Sequence, residues 1–106
     1  MNVRLSKTSI RFRISSDELN SALHRGTVTE STPLPPDGQE LRYEMVVGVF
    51  PRVLALAHAD RKISLLVSRV ALNELAERLP SKQGLVGTEH IREATLNISL
   101  EVDIKS

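Results

Sequence analysis

The sequence predicts an α+β fold, in which a mainly antiparallel sheet carries two short helices on one face in the order β-α-β-β-β-β-α-β. Apolar and polar residues alternate from Gln39 to Gly48 and from Ala94 to Ile104, which is typical of strands with one face in water. Apolar residues recur at helical spacing after Ser15 and after Ser68, and serine is a favoured helix N-cap. With 106 residues, the chain is expected to form a single domain over 1–106.

The opening stretch is a strand that runs into a capped helix. Its apolar residues shift from odd to even sequence positions. Val3 and Leu5 are odd-numbered, whereas Ile10, Phe12 and Ile14 are even-numbered. A β-bulge within Ser6–Ser9 would bring both groups to the core side. A hairpin is the alternative, but no Gly or Asn supplies positive φ there. The bulge is therefore favoured, and it places on the outward face Arg4, Arg11 and Arg13.

The first helix begins with a capping-box pattern at Ser15 and Glu18, and Gly26 is suited to end it in the left-handed conformation. Thr27–Thr32 is β-rich and mostly polar, which predicts an edge strand. Pro33–Gly38 contains a PxxP spacing, but a rigid turn is the favoured interpretation over a docking motif.

The second half begins with a predicted hairpin. Val53–Ala57 and Ile63–Val67 flank the polar turn His58–Lys62, and the uniformly apolar first arm suggests a strand that is central or buried on both faces. No internal repeat is evident. The remaining segments are a helix that starts after Ser68 and ends at Pro80, a loop from Ser81 to Arg92 and a closing strand from Ala94 to Ile104.

Composition argues against several classes of function. The net charge of +1 and the three aromatic residues argue against a nucleic-acid partner, and no apolar run is long enough for a membrane span. The N-terminus lacks the apolar core of a secretory signal, so a cytoplasmic location is expected. With no cysteine and no shared ligand spacing among the histidines, neither metal nor cofactor is expected. No catalytic motif is present, which favours a non-enzyme.

The chain resembles a family of small bacterial proteins of unknown function, whose members open with a basic alternating strand and close on an acidic one. The resemblance covers nearly the whole chain and implies no known activity. The residues that carry it are Ile10–Ile14 with Ser15–Leu19, Val28–Glu30, Ile63–Val67 and Leu96–Asp103.

Charged residues on the outward sides of the strands form the one group of side chains that suggests a binding site. The arginines are Arg4, Arg11, Arg13 and Arg42, and the acids are Glu40, Glu44, Glu101 and Asp103. A ladder of cross-strand ion pairs is the simplest interpretation. The sharper one is an anion site, because guanidinium groups bind phosphate or carboxylate in bidentate fashion.

The resulting prediction is a small binding or interaction module, without catalytic residues. The alternative is a phosphate- or nucleotide-type anion-binding protein or phosphohydrolase that uses the arginines. A homodimer is expected as well, since Thr27–Thr32 lacks the lysines that protect sheet edges and Ala94–Ile104 could lie at an edge.

Overall fold

The computed structural model describes residues 1–80 and 83–103. Within them, eight strands and two helices follow the order β-β-α-β-β-β-β-α-β-β. The α+β class is confirmed, and the predicted order is recovered once the opening strand is divided in two and a strand is added before the last one. The elements are β1 Asn2–Leu5, β2 Ser9–Ser15, α1 Ser16–Arg25, β3 Thr27–Leu34, β4 Gln39–Gly48, β5 Leu54–Ala59, β6 Lys62–Ser68, α2 Arg69–Arg78, β7 Leu85–Ile91 and β8 Ala94–Asp103.

The strands of the described residues form two four-stranded sheets instead of one. Sheet A has the order β1-β2-β8-β7, and sheet B has the order β3-β4-β6-β5. The outer pairs of each sheet are antiparallel, as predicted, but the central pairs β2–β8 and β4–β6 are parallel. The two sheets approach each other where β5 packs beside β7.

The two halves of the chain repeat one unit, a hairpin followed by a helix and a second hairpin. Exchanging the halves converts β1-β2-β8-β7 into β5-β6-β4-β3, which is sheet B read from its other edge. The register follows the same rule, since Phe12 is opposite Leu100 in sheet A and Leu65 is opposite Met45 in sheet B. The fold is therefore an internal duplication, although the sequence shows no evident repeat.

One apolar core joins the sheets and the helices. Ile10, Phe12 and Ile14 are buried together with Ile98 and Leu100 of β8, as the alternation predicted. Both helices contact each other and both sheets, so they do not simply cover one face of one sheet. The helical residues Leu19, Leu72 and Leu75 are buried in the same core.

A tight hairpin, and not a bulge, accounts for the parity change near the N-terminus. β1 and β2 pair antiparallel, with Leu5 opposite Ile10, and the Ser6 amide donates to the Ser9 carbonyl at 2.9 Å. The Ser6 hydroxyl also accepts from the amides of Thr8 and Ser9 at 3.4 and 3.1 Å. A serine side chain thus stabilises this turn, so the lack of Gly and Asn did not exclude it. Leu5 faces the core side but lies at the end of the sheet, where it is 65% exposed.

Three other predictions, those for the segments of β7, β5 and β8, were wrong or incomplete. The segment expected as a loop contains β7, in which Gly87 and Glu89 occupy inward positions that normally hold apolar residues. A Cβ at Gly87 would lie 3.1 Å from that of Leu54, and the Glu89 carboxylate accepts from Arg52 and from the Leu56 amide. The close contact between β5 and β7 therefore removes the alternation that would have revealed β7.

Two strands exchange the edge and interior positions expected for them. β5 is an edge strand of sheet B, whereas β8 lies between β2 and β7. Thr27–Thr32 is at an edge, as predicted, within the longer β3. Ile104, the last residue of the predicted closing strand, lies outside the described residues.

Both helix starts are capped as predicted. The Ser15 hydroxyl accepts from the Glu18 amide while the Glu18 carboxylate accepts from the Ser15 amide, which completes the capping box. Gly26 ends α1 at φ 82°, and its amide donates to the Ala22 carbonyl. Ser68 caps α2 with a single bond from the Ala71 amide at 3.4 Å. These caps fix the direction in which the chain passes from β2 into α1 and from β6 into α2.

Candidate functional site

The outward face of sheet A brings three of the four predicted arginines together. Arg4 on β1 lies directly opposite Arg11 on β2, and Arg13 follows two residues later on the same face. Across the parallel pair, Arg11 is opposite Ser99 and Arg13 is opposite Glu101. We call Arg4, Arg11 and Arg13 the arginine face.

Glu101 is the acidic partner of this face. Its carboxylate accepts from Arg11 Nη2 at 2.9 Å and from Arg13 Nη2 at 3.5 Å. The hydrogen bond from Arg11 is the main reason that the pKa of Glu101 lies below its ordinary value. Both arginine side chains stay half exposed, at 51% and 53%, so each can accept another partner from solvent.

Arg4 has a different environment. Among the described residues, no carboxylate forms an ion pair with it. Arg4 is on β1, and β2 lies between this strand and Glu101 on β8. Directly opposite residues in a β-sheet have Cβ atoms about 5 Å apart, and like charges in such positions destabilise the pairing. A cleft of about 50 Å³ lies among Arg4, Arg11, Arg13 and Glu101.

Arg42 lies in the other sheet. It is on β4 of sheet B, opposite Ser31 and Lys62, and its amide donates to the carbonyl of Arg61. An open cleft beside it also contains Glu40 and Asp60. The structure therefore does not bring Arg42 into the arginine face.

The predicted ladder of ion pairs is present in part. In sheet B the Glu44 carboxylate accepts from the Ser64 hydroxyl at 2.9 Å and lies 3.2 Å from Lys62 Nζ. In sheet A the pairs with Glu101 follow the same principle, but two guanidinium groups, those of Arg11 and Arg13, share one carboxylate. On the outward face of sheet A, Arg4, Arg11 and Arg13 are accompanied by Glu101 and by Asp103, which is opposite Ser15.

A second cleft adjoins the arginine face, and the sequence did not reveal it. It measures about 380 Å³, begins at Arg11 and extends over β8 to β7. Val86 lies opposite Ser99 in the row that contains Arg4 and Arg11, and it is 73% exposed. We call this space the Val86 cleft; Ser9, Thr88 and Asn97 complete its border. Since β7 was expected to be a loop, only the register of the sheet could place Val86 there.

A separate ion pair closes the contact between the sheets. Arg52 Nη1 and Nη2 donate to the two Glu89 carboxylate oxygens at 2.9 and 3.2 Å. The Leu56 amide donates to the same carboxylate at 2.8 Å. These bonds, led by that from Arg52, hold the pKa of Glu89 below its ordinary value. The Arg52 guanidinium and the Leu56 amide already occupy the Glu89 carboxylate, so this ion pair offers little to a ligand.

Residues 1–80 and 83–103 contain neither a metal-binding cluster nor a helix that could span a membrane. No three His, Cys, Asp or Glu side chains in this part of the chain could hold a metal ion together. Neither ten-residue helix in it has the length and apolar character needed to cross a membrane.

The fold and the face define a small α+β domain of duplicated hairpin–helix–hairpin units with a cationic sheet surface. The chain belongs to a family of unknown function, DUF7009, whose family model matches residues 1–106. This confirms the resemblance to an uncharacterised family. No match was found among the curated proteins or the solved structures.

Proposed function

We propose that this domain is a binding module for a small anion of the phosphate or carboxylate type, held on the arginine face. The observation that carries the proposal is the direct opposition of Arg4 and Arg11 on neighbouring strands. The pair is unfavourable for the empty protein, because like charges across a sheet repel. An anion between the two guanidinium groups would convert that repulsion into two attractive contacts.

The chemistry of the groups supports this choice of ligand. Guanidinium is planar and always charged, and its paired N–H donors match the oxygens of phosphate and carboxylate. Glu101 neutralises part of the charge but is shared by Arg11 and Arg13. Asp103 lies on the same face, but three guanidinium groups still outnumber the two carboxylates, and their position on an exposed sheet leaves them accessible to solutes.

Titration with simple anions tests the proposal. Sulfate or phosphate should raise the melting temperature of the parent protein beyond chloride at matched ionic strength. A ligand at one hundred times its Kd stabilises by about 2.7 kcal/mol. Arg4→Gln and Arg11→Gln should lose most of this response.

Arg42→Gln is the matched control, since Arg42 is also an exposed strand arginine but lies in sheet B. It should retain the response of the parent. Equal responses of the parent and the Arg4 and Arg11 variants would refute the anion site.

A second candidate function is self-association through β3. This strand of eight residues is at the edge of sheet B and contains no lysine. Its counterpart β7 packs beside β5, whereas β3 has no such contact with β1. Sedimentation of the parent and of Ser31→Lys, which adds a charge to this edge, would test a homodimer. A monomeric parent at about 100 μM would exclude the dimer at affinities typical of stable pairs.

A further inference from the structure

The Val86 cleft continues the arginine face without a break. The row Arg4, Arg11, Ser99 and Val86 crosses all four strands of sheet A, one residue from each strand. Its first two members are cationic, the third carries a hydroxyl, and the last is an exposed apolar side chain. A ligand on this row therefore meets charge at one end and apolar surface at the other.

We infer that the natural ligand is an organic anion whose planar aromatic body lies on Val86 while its phosphate or carboxylate group binds Arg4 and Arg11. The inference rests on the proposed function and adds the chemical class of the ligand. Inorganic phosphate would occupy only the charged half of the row. An aromatic phosphate or carboxylate would occupy both halves.

The shape and the border of the cleft support an aromatic body. At about 380 Å³, the cleft is within the size range of small-molecule sites. Its floor is the surface of paired strands, which suits a flat ring better than a bulky one. Most of its exposed lining is apolar, and Ser9, Thr88, Asn97 and Ser99 contribute a small polar part. These groups are able to bind polar substituents on the ring.

Comparison of ligands with and without the ring provides the test. The probes are inorganic phosphate and phenyl phosphate, with acetate and benzoate as the carboxylate pair. Burial of about 60 Å² of ring surface, at about 25 cal/mol per Å², should make phenyl phosphate bind about tenfold more tightly than inorganic phosphate. The affinities for benzoate and acetate, compared in the same way, show whether the site also accepts carboxylates. Amide chemical shifts should change at Arg4 and Arg11 with both phosphates, and at Val86 and Thr88 only with phenyl phosphate.

Val86→Thr separates the two halves of the row, because threonine keeps the shape and strand preference of valine and replaces a methyl with a hydroxyl. The advantage of phenyl phosphate should fall roughly fourfold, while the affinity for inorganic phosphate stays unchanged. Val49→Thr is the matched control, since Val49 is 99% exposed and lies outside sheet A. It should leave both affinities unchanged.

Equal affinities for the two phosphates, with no shift changes at Val86, would overturn this inference and leave the anion site in place. If neither phosphate binds, the proposed function fails as well. A tenfold preference for phenyl phosphate over inorganic phosphate that remains in Val86→Thr would also contradict the placement of the ring on Val86.

Discussion

Arg4→Gln should stabilise the ligand-free protein, which is an unusual outcome for removal of a charged residue from a sheet. Arg4 faces Arg11 directly and has no carboxylate partner among the described residues. Opposite charges on facing strand residues contribute roughly 0.2–1 kcal/mol, and a repulsion of the same size is expected for the directly opposed like charges of Arg4 and Arg11. For a domain of this size, that free energy corresponds to a rise of about 1–8 °C in melting temperature. Arg11→Gln should stabilise less than Arg4→Gln, because it relieves the same repulsion but also removes the 2.9 Å ion pair with Glu101.

Urea unfolding in a chloride buffer free of phosphate and sulfate measures this difference. The gain from Arg4→Gln should be largest at about 0.01 M salt, where the Debye length is about 30 Å, and should almost vanish at about 1 M, where it is about 3 Å. Arg42→Gln reports the effect of losing an exposed strand arginine in the other sheet. A loss of stability in Arg4→Gln at low salt, or a gain that salt does not change, would show that repulsion between the arginines is not significant.

Two further predictions concern the packing of the fold and the capping of its helices. Gly84→Ala should lower stability by about 3 kcal/mol or more in urea unfolding, because a Cβ at this position would lie 1.8 Å from the Leu100 carbonyl oxygen; wild-type stability would show that β8 can move. Ser15→Ala should cost about 1 kcal/mol and Ser68→Ala less, since only Ser15 takes part in a complete capping box. Equal losses on unfolding would contradict this ranking.

Acid should destabilise the protein through Glu101, whose folded-state pKa is lowered chiefly by the hydrogen bond from Arg11. This contribution is complete above the unfolded value of about 4.3 and is lost as the pH falls through the lower folded value. Glu101→Gln should therefore flatten the decline in stability below about pH 4, and an unchanged decline would assign it to other carboxylates.

Local patterns were sufficient to predict most of the individual elements. Alternation along β4 and β8 identified both strands and their inward residues, since one face of each is buried and the other is in water. Serine caps and Gly26 placed the helices almost to the residue. Each of these signals depends only on neighbours in the chain, so the sequence contains it in full.

The elements that the sequence did not predict depend on contacts between distant segments. Gly87 interrupts the alternation of β7 because Leu54 approaches it, and Glu89 does so because Arg52 binds it. The division into two sheets depends on parallel pairing between the halves, for which no short-range signal exists. The same limit applies to the site. Parity predicted that Arg4, Arg11 and Arg13 share a face, but only the sheet order separated Arg42 from them.

The duplicated architecture indicates which charges the fold itself requires. The row of sheet B equivalent to Arg4, Arg11, Ser99 and Val86 consists of Ala57, Ser64, Glu44 and Thr29. That row contains no arginine, and its carboxylate is bound by the Ser64 hydroxyl and by Lys62. Both rows cross a sheet of the same order and register, so this arrangement of strands forms without guanidinium groups in the row. The arginines of sheet A therefore add a repulsion that the fold does not need, and binding of an anion gives a physical reason for their position.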